Sequence, residues 1–297
     1  MKPHFYSFTA MGTRCALQLY AETDAAAGIV AALALDEVDR IEKKYSRYNP
    51  NSTISAINLA AASGETVLLD DETAALLDYA QACFQKSEGL FDITAGVLRR
   101  AWDFESERMP DPSEIDKLLP MIGMDKLVWH APSLSFKNKG MEIDFGGIGK
   151  EYAVDRVASL LMEHGITHGL IDLGGDLFVL GPHPDGQPWQ ISLRDPLKPD
   201  ALIGTVEIHQ GALATSGDYE RCIDFNGRRC CHILNPRTGW PVQGLSSVTA
   251  LASHCMVAGS MTTIAMLKGQ SGIQWLERLG VPHQWATNEG RQGGTLC

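Results

Sequence analysis

Residues 141–155 read Met-Glu-Ile-Asp-Phe-Gly-Gly-Ile-Gly-Lys-Glu-Tyr-Ala-Val-Asp, and this stretch carries the strongest structural signal in the chain. Its pattern predicts a short strand, a glycine-rich turn and the start of an amphipathic helix. Glycines let the backbone approach a ligand where a Cβ atom would collide. The N–H groups at the start of the following helix suit a phosphate. Because Lys150 adds a positive charge and Asp144 a carboxylate, the stretch predicts a polyphosphate ligand.

Two familiar glycine loops do not match this stretch. A P-loop requires serine or threonine after its lysine, whereas Glu151 follows Lys150 here. A dinucleotide-binding fingerprint requires G-x-G-x-x-G, and Tyr152 stands at the position of its last glycine. Glycine-rich turns are also common connectors between a strand and a helix. The stretch alone therefore leaves both ligand binding and a structural turn open.

Length and charge limit the classes of function. The chain has 297 residues, of which 44% are hydrophobic, enough for one large domain or two small ones. Lysine and arginine number 25 against 36 aspartate and glutamate residues, which gives a formal net charge of −11. A nucleic-acid partner is not expected, because phosphate backbones require a concentrated positive face. An anionic ligand must be held by local donors or by a bound cation.

The sequence also bears on location. No apolar run reaches the roughly 18 residues that a membrane-spanning helix requires, so no membrane span is expected. The stretch that begins Met1-Lys2-Pro3 lacks the apolar segment of a signal peptide. We therefore expect a cytoplasmic protein, or an exported one if a leader precedes the sequence given.

The order of predicted elements favours the α+β class. Short strands and helices occur in mixed runs without regular strand–helix–strand alternation, which predicts mixed or antiparallel sheets flanked by helices. We expect a single domain over residues 1–297. The segment Met109-Pro110-Asp111-Pro112 is the best linker candidate, so a sub-domain junction is predicted near residues 105–113.

Several motifs occur in a fixed order along the chain. They are Met11-Gly12-Thr13; Ser46-Arg47-Tyr48 with Asn58; Phe91-Asp92-Ile93-Thr94; residues 144–155; Asp172-Leu173-Gly174-Gly175-Asp176; His232-Ile233-Leu234-Asn235-Pro236-Arg237-Thr238-Gly239; and the helix around 258–263. This series resembles the FAD:protein FMN transferase family, also called the ApbE family. The resemblance extends over almost the whole chain and implies an ApbE-like, T-fold-related architecture.

The resemblance implies a reaction. Enzymes of the family cleave the pyrophosphate of FAD with a divalent cation, usually Mg²⁺. They transfer FMN to a threonine of an acceptor flavoprotein and release AMP. Some relatives instead hydrolyse FAD or only hold it. FAD, Mg²⁺ and an acceptor protein that carries a target threonine are therefore the expected ligands and partners.

The resemblance also implies roles for individual residues. Lys150 and His232 are the expected catalytic residues, since an imidazole is a natural general base near neutral pH. Most lone histidines are structural or exposed, so this role depends on the motif around His232. The expected cation ligands are Gly147, Thr262 and Thr263. The expected FAD-binding residues are Met11, Tyr48, Leu90, Phe91, Asp92, Asp144, Lys150 and Ile233.

One position departs from the family pattern. The family's second metal motif reads A-D-x-x-x-T, whereas this chain has Ala258-Gly259-Ser260-Met261-Thr262-Thr263. Because Gly259 stands where a ligand aspartate is expected, we predict a weaker or relocated metal site. Water, Asp218 or Glu220 could replace the lost ligand in an active transferase. The alternative is a non-catalytic FAD-binding paralogue, acting as a flavin carrier or regulator. An unrelated hydrolase with a Ser/His pair is disfavoured, because the chain has no G-x-S-x-G motif.

Overall fold

A computed structural model describes the chain except residues 105–107, 199, 220–221, 226–227 and 297, and it describes only the backbone of residues 224, 225 and 228. The helices are α1 Asp24–Tyr45, α2 Thr53–Ser63, α3 Asp71–Lys86, α4 Pro112–Leu118, α5 Gly149–Glu163, α6 Cys255–Lys268 and α7 Ser271–Leu279, with 3₁₀ turns at Ile93–Arg100, Leu119–Met121 and Met124–Lys126. The strands are β1 Lys2–Ala10, β2 Thr13–Ala21, β3 Val67–Leu68, β4 Leu127–His130, β5 Ser133–Phe136, β6 Gly169–Leu173, β7 Asp176–Gly181, β8 Trp189–Arg194, β9 Leu202–Ile208, β10 Gly211–Gly217, β11 Cys222–Phe225, β12 Arg228–Cys231, β13 Leu245–Ala252, β14 His283–Thr287 and β15 Gln292–Gly294.

Side-chain caps fix where several helices begin. Thr23 caps α1 and accepts a hydrogen bond from the N–H of Ala26 at 3.1 Å. Ser52 caps α2 and Asp70 caps α3 in the same way, through the N–H groups three residues ahead. Such caps satisfy N–H groups that have no partner inside the helix. These starts follow from the local sequence.

The main sheet has eight strands in the described part of the chain, in the order β1-β2-β6-β7-β10-β13-β14-β15, and neighbouring strands are antiparallel. Alternating side chains of β7 pack on the two opposite faces of the sheet. Phe178 and Leu180 belong to the core shared with α1, α5 and α6, whereas Leu177 and Val179 pack against the β8–β9 hairpin. This two-sided burial makes every residue of β7 buried. The α+β prediction is confirmed.

One end of the main sheet gathers several of the sequence motifs. The register pairs Cys15 with Leu173 and Leu173 with Asp176, so the turns β1–β2 and β6–β7 lie side by side. The same end holds the last residues of β10, where Gly217 pairs with Ser247 of β13. Helix α5 also begins here, since Lys150 contacts Asp176. This end of the sheet positions the candidate site.

The strand predicted at the start of the 141–155 stretch is wrong. Residues 141–145 run beside other segments without forming a ladder. Asn58 instead holds Ile143 from both sides: its Oδ1 accepts from the Ile143 N–H at 2.8 Å, and its Nδ2 donates to the Ile143 carbonyl at 3.1 Å. The N–H of Asp144 donates to the Ile93 carbonyl at 2.9 Å. A side-chain amide thus replaces a neighbouring strand.

Two predictions about organisation remain as they were. Part of the proposed junction near 105–113, residues 105–107, lies outside the described residues, and the sub-domain junction stays a prediction. Among the described residues, none of the helices combines the length and apolarity needed to cross a lipid bilayer. The cytoplasmic location stays a prediction from the sequence.

Candidate functional site

The start of α5 is the centre of the candidate site. Ile148 occupies the N-cap position, and no described side chain caps it. The Gly149 N–H donates to the Phe145 carbonyl at 2.7 Å, which folds the glycine-rich turn back on itself. Gly147 lies against the ring of buried Phe91, because a Cβ placed on Gly147 would be 3.3 Å from its Cζ atom. The turn therefore packs tightly on an aromatic support.

Asp144 connects this turn to the loop before α2. Its Oδ2 accepts from Arg47 Nη1 at 2.5 Å, and its Oδ1 accepts from the Gly146 N–H at 2.9 Å. Arg47 also donates to the Tyr48 hydroxyl at 2.9 Å, and its guanidinium lies 5.0 Å from the centre of that ring. The Tyr48 side chain itself is 75% exposed. An exposed ring held by an arginine is available to stack on a flat ligand.

In the Leu90-Phe91-Asp92 segment, the two apolar residues pack in the core and the aspartate caps a turn. Phe91 is buried, and Leu90 packs partly buried against the main core. The Asp92 carboxylate accepts from the Thr94 N–H at 2.8 Å, from the Thr94 hydroxyl at 2.6 Å and from the Met124 N–H at 3.2 Å. Burial raises the pKa of Asp92 despite these donors. Its present contacts are those of a structural cap.

Lys150 reaches the strand ends of the main sheet. Its Nζ lies 2.9 Å from Oδ2 of buried Asp176 and 3.3 Å from the Gly174 carbonyl. Gly174 has a φ of +65°, and a Cβ there would lie 2.5 Å from the methyl group of Thr13. The β1–β2 turn therefore packs directly on the β6–β7 turn. Met11, which has a φ of +51°, lies in the first of these turns.

Helix α6 and β10 contribute a chain of hydroxyl groups. The Thr262 hydroxyl donates to the Gly259 carbonyl at 2.9 Å. Ser216 Oγ lies 2.9 Å from Thr262 Oγ1 and 3.1 Å from Thr263 Oγ1. Because each hydroxyl has one proton, Ser216 donates to Thr262, and Thr263 donates to Ser216. Half-buried Thr263 is thus the start of the donor chain, and its oxygen lone pairs are not used by that chain.

Gly259 lies in contact with Glu151 of α5. A Cβ placed on Gly259 would be 2.5 Å from Glu151 Cγ and 2.7 Å from Glu151 Oε1. Glu151 is 7% exposed, and its Oε2 has no hydrogen-bond partner among the described residues. Burial, followed by the negative charge of Asp176, raises the pKa of Glu151. The carboxyl group therefore occupies the space beside position 259.

Of the suggested replacement ligands, Asp218 has other partners and Glu220 lies outside the described residues. Asp218 accepts from Arg229 Nη1 at 3.1 Å, and its Oδ2 lies 3.4 Å from Asn288 Nδ2. Burial raises the pKa of Asp218, against the effect of Arg229. These two partners tie Asp218 to the β11–β12 hairpin and the β14–β15 turn.

The His232 motif follows β12. His232 is exposed beside fully buried Cys231, and the Ile233 carbonyl accepts from the Val242 N–H at 3.0 Å. Further along the motif, Arg237 and Asp92 line one cleft of about 420 Å³. The structure thus brings the 232–239 motif to the Phe91-Asp92 motif. The catalytic roles of His232 and Lys150 stay predictions.

The structure places several of the residues that the sequence singled out in contact with one another or with other motifs. Asp144 and Tyr48 meet through Arg47, Phe91 meets Gly147, and Lys150 meets the β6–β7 turn. Three residues in or beside these contacts were not among the predicted site residues: Arg47, Glu151 and Ser216. Arg47 stood inside a quoted motif. Glu151 follows Gly147 by four residues in the sequence and lies in the first turn of α5.

The donor set fits a hard cation only in part. The described residues contain no group of three or more His, Cys, Asp or Glu side chains arranged to hold a metal ion. The Gly147 carbonyl and the Thr263 hydroxyl are oxygen donors of the kind that Mg²⁺ prefers. Mg²⁺ also keeps several waters and uses substrate phosphates, so a small protein donor set is compatible with it. Glycine at position 259 brings no carboxylate.

Comparison with known proteins gives a consistent result. The sequence profile of the ApbE family matches residues 11–284. The FAD:protein FMN transferase of Klebsiella pneumoniae is 31% identical over 265 residues, which are 87% of this chain and 80% of the relative. The enzyme of the same name from Rhodobacter capsulatus is 28% identical over 89% of this chain. The match spans about half, 51%, of that longer relative.

A solved structure has the same fold. The ApbE protein of Thermotoga maritima superimposes with a TM-score of 0.90 and 28% sequence identity. The match covers 99% of this chain and 97% of the Thermotoga protein. The eight-stranded sheet and its helices thus form a shared architecture.

Proposed function

The chain belongs to the ApbE family, and from that premise we propose that it transfers FMN from FAD to a threonine of an acceptor protein and releases AMP. The observation that carries the proposal is the meeting of separate motifs at the start of α5. The Arg47–Asp144 pair, the Phe91–Gly147 contact and the Lys150–Asp176 pair lie along one short segment. A segment of this kind suits a long nucleotide with a pyrophosphate in its middle.

The reaction requires one phosphorus–oxygen bond to form and one to break. The threonine hydroxyl of the acceptor attacks the phosphorus that carries the riboflavin unit. The bond from that phosphorus to the bridging oxygen breaks, and AMP leaves with the bridging oxygen. The hydroxyl proton passes to a base. The protein must therefore hold the pyrophosphate, align the hydroxyl and accept a proton.

Lys150 is proposed to hold the pyrophosphate together with the start of α5. Its ammonium group is half-buried and already lies against Asp176 at 2.9 Å, which fixes its position. A local positive charge is needed because the whole chain has a net charge of −11. The helix N-terminus adds its own partial positive charge. Both attract the pyrophosphate against an unfavourable overall field.

The flavin end is proposed to lie near Tyr48. The exposed Tyr48 ring is presented by Arg47, which is itself anchored on Asp144. Met11, Leu90 and Ile233 are proposed to supply apolar contacts. Asp92 is proposed to act through the shape of the 90–94 turn, because its carboxylate is occupied by Thr94 and Met124.

A divalent cation is proposed to bind between α5 and α6. The Gly147 carbonyl and Thr263 would hold it, whereas Thr262 is fully buried and its proton is committed to the Gly259 carbonyl. When bound, Mg²⁺ would neutralise negative charge on the pyrophosphate. Thr262 is therefore proposed to orient Thr263 through Ser216 rather than to bind the ion.

His232 is proposed as the base. It is exposed, so an acceptor threonine can reach it, and a buried neighbour, Cys231, fixes the backbone on one side. An imidazole can accept the hydroxyl proton near neutral pH and release it to solvent after transfer.

The second candidate function is FAD binding without transfer. Gly259 favours it, since this position brings no carboxylate to the cation site. Such a protein would act as a flavin carrier or regulator. It would retain the nucleotide contacts and lack the ability to break the pyrophosphate.

One experiment separates the two functions. The purified chain is incubated with FAD, MgCl₂ and a flavin-acceptor domain, and the acceptor mass is measured. A version of the acceptor with valine at the target threonine is the control, and chromatography follows AMP release. An FMN-sized mass gain on the threonine acceptor alone supports transfer. FAD binding without mass gain or AMP, with Mg²⁺ or Mn²⁺, would identify the carrier function.

A further inference from the structure

Glu151 and Gly259 form a matched pair across the α5–α6 contact. Gly259 is buried in the middle of α6, where glycine costs about 1 kcal/mol relative to alanine. A Cβ on Gly259 would lie 2.5 Å from Glu151 Cγ, 2.7 Å from Oε1 and 3.0 Å from Cδ. Such distances are too short for real Cβ contacts, so no side chain at 259 coexists with Glu151 in this position. Glu151 therefore accounts for the glycine.

One oxygen of the Glu151 carboxylate lacks a hydrogen-bond donor among the described residues. This oxygen, Oε2, is buried. A buried carboxylate whose oxygen lacks a donor is costly unless a cation or a proton compensates its charge. Packing alone would be served better by an apolar side chain.

The other oxygen donors of the proposed cation site stand four residues from Glu151 and four residues from its contact partner Gly259. Gly147 precedes Glu151 by four residues, in the turn that leads into α5. Thr263 follows Gly259 by four residues on α6, so the two positions share a face of that helix. The hydroxyl chain through Ser216 leaves the Thr263 lone pairs unused. A carboxylate, a hydroxyl and a carbonyl, completed by phosphates and water, make an oxygen site suited to Mg²⁺.

We propose that Glu151 supplies the carboxylate ligand of the cation site, from α5, in place of a side chain at position 259 on α6. This inference rests on the proposed function for the nature of the site. It adds a ligand that the sequence motifs did not indicate. It also accounts for Gly259 without loss of the metal, because the carboxylate has changed helices.

The experiment uses the full chain and Mn²⁺ as the probe. Electron paramagnetic resonance measures free Mn²⁺ during titration of the protein, alone and with FAD, without acceptor. Glu151→Gln keeps the size of the side chain and removes its charge. Glu163→Gln, an exposed change on the same helix, is the matched control. We expect Glu151→Gln to weaken Mn²⁺ binding about tenfold or more, and the control to bind like the wild type.

A second variant tests the change of helix. Glu151→Gly combined with Gly259→Asp removes the carboxylate from α5 and introduces one on α6. We expect it to bind Mn²⁺ more tightly than Glu151→Gly alone. A folded double variant that binds no better than Glu151→Gly contradicts the exchange. If the double variant does not fold, the Mn²⁺ affinity of Glu151→Gln still tests whether Glu151 is a ligand.

A structural role for Glu151 gives a different pattern. If Glu151 only fills space, Glu151→Gln binds Mn²⁺ like the wild type, and that result overturns the proposal. Thermal melting without metal is a second measurement. Because Glu151 Oε2 has no hydrogen-bond partner among the described residues, Glu151→Gln should leave the melting temperature unchanged or raise it. FAD affinity measured in EDTA, by flavin fluorescence, should not change.

The two proposals fail in different ways. The transferase proposal is contradicted if no AMP is released and the acceptor gains no mass, whatever the Mn²⁺ affinity. The Glu151 proposal is contradicted if Glu151→Gln binds Mn²⁺ like the wild type, whether or not FMN is transferred.

Discussion

Arg47 Nη1 and Asp144 Oδ2 lie 2.5 Å apart and join two loops that are 97 residues apart in the chain. Both side chains are largely buried, at 27% and 18% exposure, so solvent weakens this pair less than a surface ion pair. The pair fixes Tyr48 on one side and the glycine-rich turn on the other. The proposed flavin contact and the proposed pyrophosphate contact are thereby held in one arrangement.

The first prediction concerns Arg47→Ala. The change removes the anchor of Tyr48 and leaves the Asp144 carboxylate partly desolvated without its cation. A hydrogen bond to a charged group contributes about 1.5–3 kcal/mol, so we expect FAD affinity to fall about tenfold or more. Titration by flavin fluorescence measures it. Arg156→Ala, which removes an exposed pair with Glu37, should leave affinity unchanged. Equal effects from both changes would contradict a local role for Arg47.

The second prediction compares Gly174→Ala with Gly175→Ala. Both glycines have positive φ angles, +65° and +88°. A Cβ at 174 would also lie 2.5 Å from Thr13, whereas a Cβ at 175 has no atom within 4 Å. Overpacking typically costs about 1–3 kcal/mol, so Gly174→Ala should be less stable than Gly175→Ala by that amount. Urea unfolding measures both. Equal stabilities would mean that the two turns separate easily.

The third prediction concerns stability and pH through Glu72. Its carboxylate accepts from Arg40 at 2.7 Å, from Lys44 at 2.6 Å and from the Tyr152 hydroxyl at 2.6 Å. These donors, Arg40 first, hold the pKa of Glu72 well below its usual 4.5. The stabilisation is present above that usual pKa and is lost as the pH falls toward the folded-state pKa.

Glu72→Gln tests this dependence, since it keeps the shape and removes the charge. We expect the variant to be less stable than the wild type by about 1 kcal/mol at pH 7, a value reduced for solvent screening. The difference should shrink as the pH is lowered below 4.5. Urea midpoints at pH 7, 5 and 4 give the comparison. A difference that stays constant with pH would assign the effect to packing.

The fourth prediction separates Thr262 from Thr263. Thr263→Val removes the proposed ligand oxygen, so Mn²⁺ affinity should fall while stability changes little. Thr262→Val removes a buried hydroxyl from Ser216 and from the Gly259 carbonyl. Unsatisfied buried groups cost about 1–3 kcal/mol each, so thermal stability should fall in this variant. A larger loss of Mn²⁺ affinity in Thr262→Val would reverse the assignment.

The fifth prediction concerns His232→Asn. A positioned base contributes about 10²–10⁴-fold to a proton-transfer step, so the rate of acceptor modification should fall within that range. FAD affinity should stay near that of the wild type, because the proposed role is in chemistry and not in nucleotide binding. Acceptor mass against time gives the rate, and flavin fluorescence gives the affinity. Unchanged rates would require another base.

Local sequence determined much of the secondary structure. Ser52 and Asp70 cap α2 and α3 through side chains next to the helix starts, because a cap depends on residues within one turn. The strand predicted within 141–145 failed for a related reason. The apolar pattern of residues 141–145 indicates burial. Burial alone does not show whether a neighbouring strand or the Asn58 amide forms the hydrogen bonds of the backbone.

The sequence by itself determined the fold class, the family and the motifs of the site, since these depend on patterns and residue order. Tertiary structure alone decided which side chains meet. Glu151 and Gly259 are 108 positions apart, and nothing local to either residue indicates that one fills the space of the other. The same holds for Arg47 and Asp144. Contacts between distant segments depend on how α5 and α6 pack on the sheet, which is a property of the whole chain.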